Sequence, residues 1–296
     1  MTPTPHKAGF VAIIGKPNAG KSTLMNAIIG EKLSIVTPKA QTTRHRIFGI
    51  LNDENYQVVF SDTPGIIIPK YELQKNMMKF VSHSLDDADL ILCVIDITDD
   101  ILDQEIIDKL RKTELPVIFI LNKIDVSSEE KLAEKMAWCN QFDLKKDIIA
   151  ISALAKFNIG NLVDLILKYI PEHPAFYNKE DLTDKPERFF AAEIIREKIF
   201  LNYSQEIPYS CEVAILAFKE KADMNVITAE IYVERDSQKG ILIGKNGSSL
   251  KRVGTLARVE MEKFFGKKVF LETHVRVVKD WRSDTNKLKQ FGYNPS

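Results

Sequence analysis

Between positions 10 and 170, short apolar runs alternate with longer polar or amphipathic stretches, the runs falling at 10–14, 57–60, 90–95, 117–121 and 148–151. Uninterrupted apolar runs of this length predict strands buried on both faces of a parallel sheet, and the amphipathic stretches predict the helices that cover it. The expected fold of this half is α/β and doubly wound, with a mostly parallel sheet. Its last helix starts at Ile159, carries Leu162, Leu165, Ile166 and Tyr169 on one face, and is stopped by Pro171 and Pro174. The polar, proline-bearing stretch up to Pro186 reads as a linker.

Beyond the linker the period changes. Positions 187–203 are spaced as a helix, 211–218 and 226–233 as strands, 250–265 as a helix and 269–278 as a strand. With a short helix around Ile241 the order is α-β-β-α-α-β, a small α+β domain. The chain thus divides into a first domain at 1–175, a linker at 176–186, a second domain at 187–280 and a polar, basic tail at 281–296. Arg282, Lys287 and Lys289 in that tail are either phosphate contacts or simply solvated.

The chain has 296 residues, of which 45% are apolar, with 13 Gly and 12 Pro, which excludes collagen-like and wholly disordered classes. Charge changes the picture more. The totals of 41 basic and 41 acidic residues, taken alone, argue against a nucleic-acid partner. Positions 237–296, however, carry 13 basic and 5 acidic side chains, so +8 there cancels −8 elsewhere. Cys93, Cys139 and Cys211 form no CxxC and sit in apolar surroundings, as reduced core thiols do. No apolar stretch approaches the ~20 residues that span a bilayer, and residues 1–7 lack the pattern of a signal or transit peptide, so a cytosolic protein is expected.

Candidate chemistry follows the first strand. Gly15-Lys16-Pro17-Asn18-Ala19-Gly20-Lys21-Ser22 is a full GxxxxGKS run opening a helix, the pattern of a loop whose N–H groups cradle phosphates. Lys21 would reach the β- and γ-phosphates and Ser22 would ligate Mg²⁺. After the second run come Asp62-Thr63-Pro64-Gly65 and Ile66, where Asp62 can hold Mg²⁺ through water and the Gly65 N–H can meet the γ-phosphate. Asn122-Lys123-Ile124-Asp125 and Ser152-Ala153 close the next two runs. The Asp125 carboxylate can accept both N–H groups on one edge of guanine, and adenine offers no matching pair, so GTP is expected over ATP. In the basic region, Ile241-Leu242-Ile243-Gly244-Lys245-Asn246-Gly247 carries a GxxG before a helix, where two glycines let a nucleic-acid backbone approach. Lys245, Lys251 and Arg252 are candidate backbone contacts, while Ile241, Ile243 and Leu250 are either groove floor or core.

These motifs resemble the five guanine-nucleotide motifs of translation-factor-class GTPases, and the GxxG region resembles a type II KH domain. Together, with Pro17-Asn18 and Gln41-Thr42-Thr43-Arg44-His45, the chain is similar over nearly its whole length to the Era family, bacterial GTPases of small-ribosomal-subunit assembly. The resemblance implies GTP/GDP and Mg²⁺ as cofactors, binding near the 3′ end of 16S-type ribosomal RNA, action on the 30S subunit, a monomeric state and a fraction loosely associated with the inner membrane. It also implies a second metal ligand in the 33–46 loop, Thr43 or Thr42, and K⁺ held through Asn18 where an arginine finger would otherwise act. Lys21, Asp62, Gly65, Asn18 and Thr43 are the expected catalytic set. Ile66 stands where Ras-like enzymes keep a water-orienting glutamine, so intrinsic hydrolysis is expected to be slow. An RNA chaperone with incidental hydrolysis, or a membrane-associated regulatory GTPase, are the competing readings.

Overall fold

Two separate sheets organise the chain, in a computed structural model that describes residues 6–99, 104–142 and 146–294. The positions before residue 6, read above for a leader, lie outside the described residues. In the first half the elements are β1 (Lys7–Gly15), α1 (Lys21–Ile29), β2 (Ile47–Asn52), β3 (Tyr56–Asp62), α2 (Glu72–Asp86), β4 (Leu90–Asp96), α3 (Gln104–Arg111), β5 (Val117–Asn122), α4 (Glu129–Asn140), β6 (Lys146–Ala150) and α5 (Ile159–Leu167). The sheet order is β2-β3-β1-β4-β5-β6, parallel throughout except for β2 against β3. All seven residues of β4 and all six of β5 are buried, as central strands covered on both faces require.

Every apolar run read as a strand is one, and β2 is an additional strand. Its burial alternates only loosely, because it is an edge strand paired on one side. The stretch read as a linker lies along that edge. Ile50 N–H donates to the Leu182 carbonyl at 2.9 Å and Asn52 Nδ2 to Asp181 O at 2.9 Å. Gln57 is fully buried; its Oε1 accepts from the Phe176 and Tyr177 amides and its Nε2 donates to Tyr177 O. Residues up to Asp184 therefore cluster with the first unit, which comprises Met1–Ile68 and Met77–Asp184.

The second unit comprises Pro69–Asn76 and Lys185–Asn294. It holds α6 (Glu187–Asn202), α7 (Ile207–Ser210), β7 (Glu212–Glu220), β8 (Met224–Val233), α8 (Asp236–Ile243), α9 (Ser248–Phe265), β9 (Lys268–Val277) and α10 (Thr285–Gln290). The strands run β7-β8-β9, with β7 and β8 antiparallel and β8 and β9 parallel. Burial in β8 alternates residue by residue, so one face packs on helices and the other faces outward. Ile195 and Ile199 of α6 meet Ile227 and Ile231 of β8 and Val253, Ala257 and Met261 of α9 in one core.

From 281 onward the stretch read as a polar tail packs into this unit. Trp281, Leu288 and Tyr293 are almost completely buried. Trp281 Nε1–H donates to Ser210 O at 3.0 Å and the Tyr293 hydroxyl to Glu212 Oε2 at 2.6 Å. Arg282 pairs with Glu234 and stacks over the Tyr71 ring, so it is not a free phosphate ligand. Three isolated apolar residues in a charged context carry no period, which is why the pattern did not reveal them. Trp281→Ala is expected to remove about 3–5 kcal/mol from the second unit, read by urea denaturation.

Candidate functional site

The ends of β1, β3, β4, β5 and β6 all open onto one edge of the sheet, where open α/β sheets bind ligands. A cavity of about 540 Å³ sits there, with Pro17, Lys21, Thr43, Gly65, Asp125 and Leu154 among its lining residues. Asn18, Gly20, Ser22, Asn122, Lys123 and Ala153 also face it. Gly15, Lys16, Ala19, Asp62, Thr63, Pro64, Ile66, Ile124 and Ser152 are not among the residues that line it.

Lys21 is buried at the start of α1, and its Nζ donates to the Gly15 and Lys16 carbonyls at 3.2 and 2.8 Å. Burial pushes its pKa down to about 8 against the opposing pull of Asp62. Asp62 is fully buried, and burial pushes its carboxyl up although a Ser22 hydrogen bond and the Lys21 charge oppose this. Ser22 Oγ donates to Asp62 Oδ2 at 2.7 Å and lies 2.9 Å from Thr43 Oγ1. The Ser34 hydroxyl also lies near this carboxylate, yet neither it nor Asp62 Oδ1 completes a hydrogen bond. A buried unpaired carboxylate oxygen beside two hydroxyls is a donor set that suits a hard divalent cation such as Mg²⁺. Thr42 also lines the cavity, but its hydroxyl is engaged within the loop, meeting Thr37 Oγ1 at 2.6 Å and Lys39 O at 2.7 Å.

Asn18 has a left-handed backbone, φ 63°, and its Nδ2 donates to Pro38 O at 3.1 Å, joining the phosphate loop to the 33–46 loop. Thr63 Oγ1 donates to Ile13 O at 2.7 Å, and Ile66 N–H to Gly15 O at 3.1 Å. Ile66 is 2% exposed and packs with Ile14 and Val81, so its side chain is part of the core. Asn122 Nδ2 donates to Ala19 O at 2.9 Å while its Oδ1 accepts from Ala153 N–H at 3.0 Å, which binds three motifs into one wall. Ser152 Oγ accepts from Ala155 N–H and shapes the same turn.

Pattern reading missed Asn26. From inside α1 its Oδ1 accepts the Leu33 and Ser34 amides at 3.0 and 2.9 Å and its Nδ2 donates to Ser34 O at 2.8 Å, pinning the start of the 33–46 loop. An asparagine inside a helix is unfavourable, and that was the available signal. Ile35, Val36 and Thr37 line the cavity and were also missed, as they lie in a loop with no spacing rule.

In the second unit, α8 ends at Gly244 (φ 71°), where a Cβ would lie 2.2 Å from Ser249 Oγ. Gly247 has φ 77° but open space around it. Lys245 and Asn246 are exposed between them, as are Lys251 and Arg252 on α9. Leu250 packs against the core, Ile243 is half-buried and Ile241 is 52% exposed, so Ile241 is the apolar side chain offered to the surface beside the loop.

Residues 10–123 match the family model described as "50S ribosome-binding GTPase", and residues 206–282 match the KH domain model. The chain is 47% identical over 292 residues to the "GTPase Era" of Syntrophus aciditrophicus, covering 97% of this chain and 95% of that protein. It belongs to the Era family of GTPases. The solved Era complex with MgGDPNP and nucleotides 1506–1542 of 16S ribosomal RNA superposes with a TM-score of 0.93 at 42% identity, covering 97% of this chain and 99% of that one. An Aquifex aeolicus Era variant bound to GDP·AlF4⁻ gives 0.92 at 40% identity with the same coverage. The architecture, a mostly parallel P-loop GTPase sheet followed by a KH domain, is thus that of Era proteins.

A Cβ on Gly65 would stand 2.6 Å from the Pro17 nitrogen and 2.7 Å from its Cα. Gly65→Ala is expected to push the Asp62–Gly65 turn off the phosphate loop and weaken a non-hydrolysable GTP analogue by about tenfold, about 1.4 kcal/mol, while GDP affinity stays within about twofold. Titration calorimetry with both nucleotides checks this.

Proposed function

We propose that this chain is a Mg²⁺-dependent GTPase switch that binds small-subunit ribosomal RNA near its 3′ end through the KH loop and assists assembly of the 30S subunit. The observation that carries it is the Ser22 hydroxyl, which meets Asp62 and Thr43 at once. One atom thereby ties the phosphate loop, the 33–46 loop and the Asp-x-x-Gly turn to the place where a γ-phosphate would be sensed. Mg²⁺ bound by Ser22 and Thr43, with Asp62 acting through water, would neutralise charge on the β- and γ-phosphates. Lys21 supplies a cation, Gly65 an amide and Asp125 the guanine-reading carboxylate. Ile66 cannot orient water, which supports slow intrinsic turnover and activation by the RNA-bearing particle.

K⁺ is a further cofactor in this reading. The link from Asn18 Nδ2 to the Pro38 carbonyl supports it, because it holds an amide side chain against the 33–46 loop beside the phosphate site. The RNA reading is supported by the exposed Lys245, Lys251 and Arg252 around two left-handed glycines, and by the 16S RNA found with the solved Era relative. The protein acts as a monomer, and any membrane contact is peripheral: among the described residues no helix is long and apolar enough to cross a bilayer.

Crosslinking of the GTP-bound protein to RNA in cells should enrich the 3′ end of the small-subunit RNA; a diffuse profile over messenger RNA would overturn the assignment. Gly247→Asp, at a position with room for a side chain, should abolish RNA binding with GTP affinity retained, and Lys21→Ala should do the reverse, as filter binding and nucleotide titration would show. Steady-state hydrolysis should run faster in KCl than in NaCl, equal rates removing K⁺ from the mechanism.

A further inference from the structure

Asp96 ends β4 and is absorbed by none of the roles above. It is 7% exposed, and its two oxygens are both engaged. Oδ2 accepts the Lys123 ammonium at 2.5 Å, and Oδ1 accepts the Thr98 amide at 2.9 Å and the Thr98 hydroxyl at 2.7 Å. One residue on, Ile97 N–H donates to Asn122 O at 3.0 Å, so the ends of β4 and β5 are stitched together on both sides of the pair. Burial alone would push the Asp96 carboxyl up, but the hydrogen bonds from Lys123 and Thr98 outweigh it and hold it below the usual carboxylate range.

Lys123 itself is held in an unusual conformation, φ 68°, which a residue with a side chain adopts only when its surroundings impose it. Its ammonium is anchored at β4 and its backbone at the end of β5, next to Asp125. The methylene stem must span the distance between them, along the cavity wall shared with Asp125, Val126 and Leu154. A lysine stem buries readily against an apolar or aromatic surface while its charge stays satisfied elsewhere. A free lysine would have to give up rotamer entropy when a base settled on it. A lysine already fixed gives up little of that, which is the ordinary advantage of preorganisation.

We propose that Asp96 is a positioning residue for the guanine base: by clamping the Lys123 ammonium it presets the lysine stem as the wall on which the base plane rests, while Asp125 reads the base edge. The inference rests on the guanine-nucleotide reading of the cavity and adds to it a second layer with a separate job. The edge reader sets which base is accepted. The clamp sets how tightly any base of that shape is held.

The test uses the full chain and compares GDP with IDP, whose base lacks the 2-amino group that Asp125 would read. Asp96→Asn keeps the shape and removes the charge. It should weaken GDP and IDP by the same factor, about tenfold, mainly through faster dissociation, with kcat at saturating GTP within about twofold of the parent. Asp125→Asn, by contrast, should change the GDP-to-IDP ratio. Because Asp96 acts through Lys123, Asp96→Asn and Lys123→Met should be strongly non-additive in a double-mutant cycle. Unchanged GDP affinity in a folded Asp96→Asn protein, or additive effects in the cycle, would overturn the clamp. If Asp96→Asn does not fold, Thr98→Val decides, since it removes a hydrogen bond that aims the carboxylate from an exposed position: about threefold weaker GDP is expected, and unchanged affinity overturns the proposal. A parent protein with no preference for GDP over ADP would instead defeat the guanine reading and leave the geometry of the clamp untouched.

Discussion

The parallel register of four strands is the constraint on which the site depends. Ile13 of β1 lies opposite Asp62 of β3, Gly15 opposite Val94 of β4, and Asp96 of β4 opposite Asn122 of β5. Parallel pairing brings each of these strands to its carboxyl end on the same edge, so stretches far apart in the chain deliver their polar ends within one cavity's width. The strands are apolar because they must be buried on both faces. That same burial strips solvent from polar residues at or near the strand ends, among them Asp62, Asp96, Asn122 and Lys21.

Those polar residues consequently sit in tension with their surroundings. Lys21 and Asp62 are both buried, and burial pushes each towards its neutral form. Their mutual attraction and the Ser22 hydroxyl offset part of the cost, but Asp62 Oδ1 stays unsatisfied. In the proposed switch, polyphosphate and a divalent cation would supply the missing complement. On that proposal binding would relieve a cost the fold has already incurred, and loss of the γ-phosphate would restore it at the atoms that hold the two loops.

How much of this could be read in the residues depended on whether a feature repeats or stands alone. Central strands announce themselves because burial on both faces leaves no polar interruption, and the motifs follow them at fixed points. β2 was silent because an edge strand needs only one good partner and tolerates polar positions. Trp281, Leu288 and Tyr293 were silent for a related reason: each fills its own place, and no spacing rule connects them. Thr42 and Thr43 are chemically identical in the sequence, and only the fold separates a hydroxyl that meets Ser22 from one that closes the loop on Lys39. Isoleucine at position 66 offers no group to hold water, and its packing with Ile14 and Val81 in the core appears only in three dimensions.

The strip from Phe176 to Asp184 has a consequence for self-association. A strand edge with free amides and carbonyls is a template onto which another chain can add. Here Ile50 and Asn52 donate to carbonyls of the strip, and Gln57 beneath them is fully buried by it. A fragment ended at residue 175, where composition alone suggests a boundary, would lay that edge bare. It would also leave a buried glutamine without the three backbone partners that now saturate it. Such a fragment would be prone to pairing edge to edge with its own copies, whereas one carried through Asp184 keeps its edge closed.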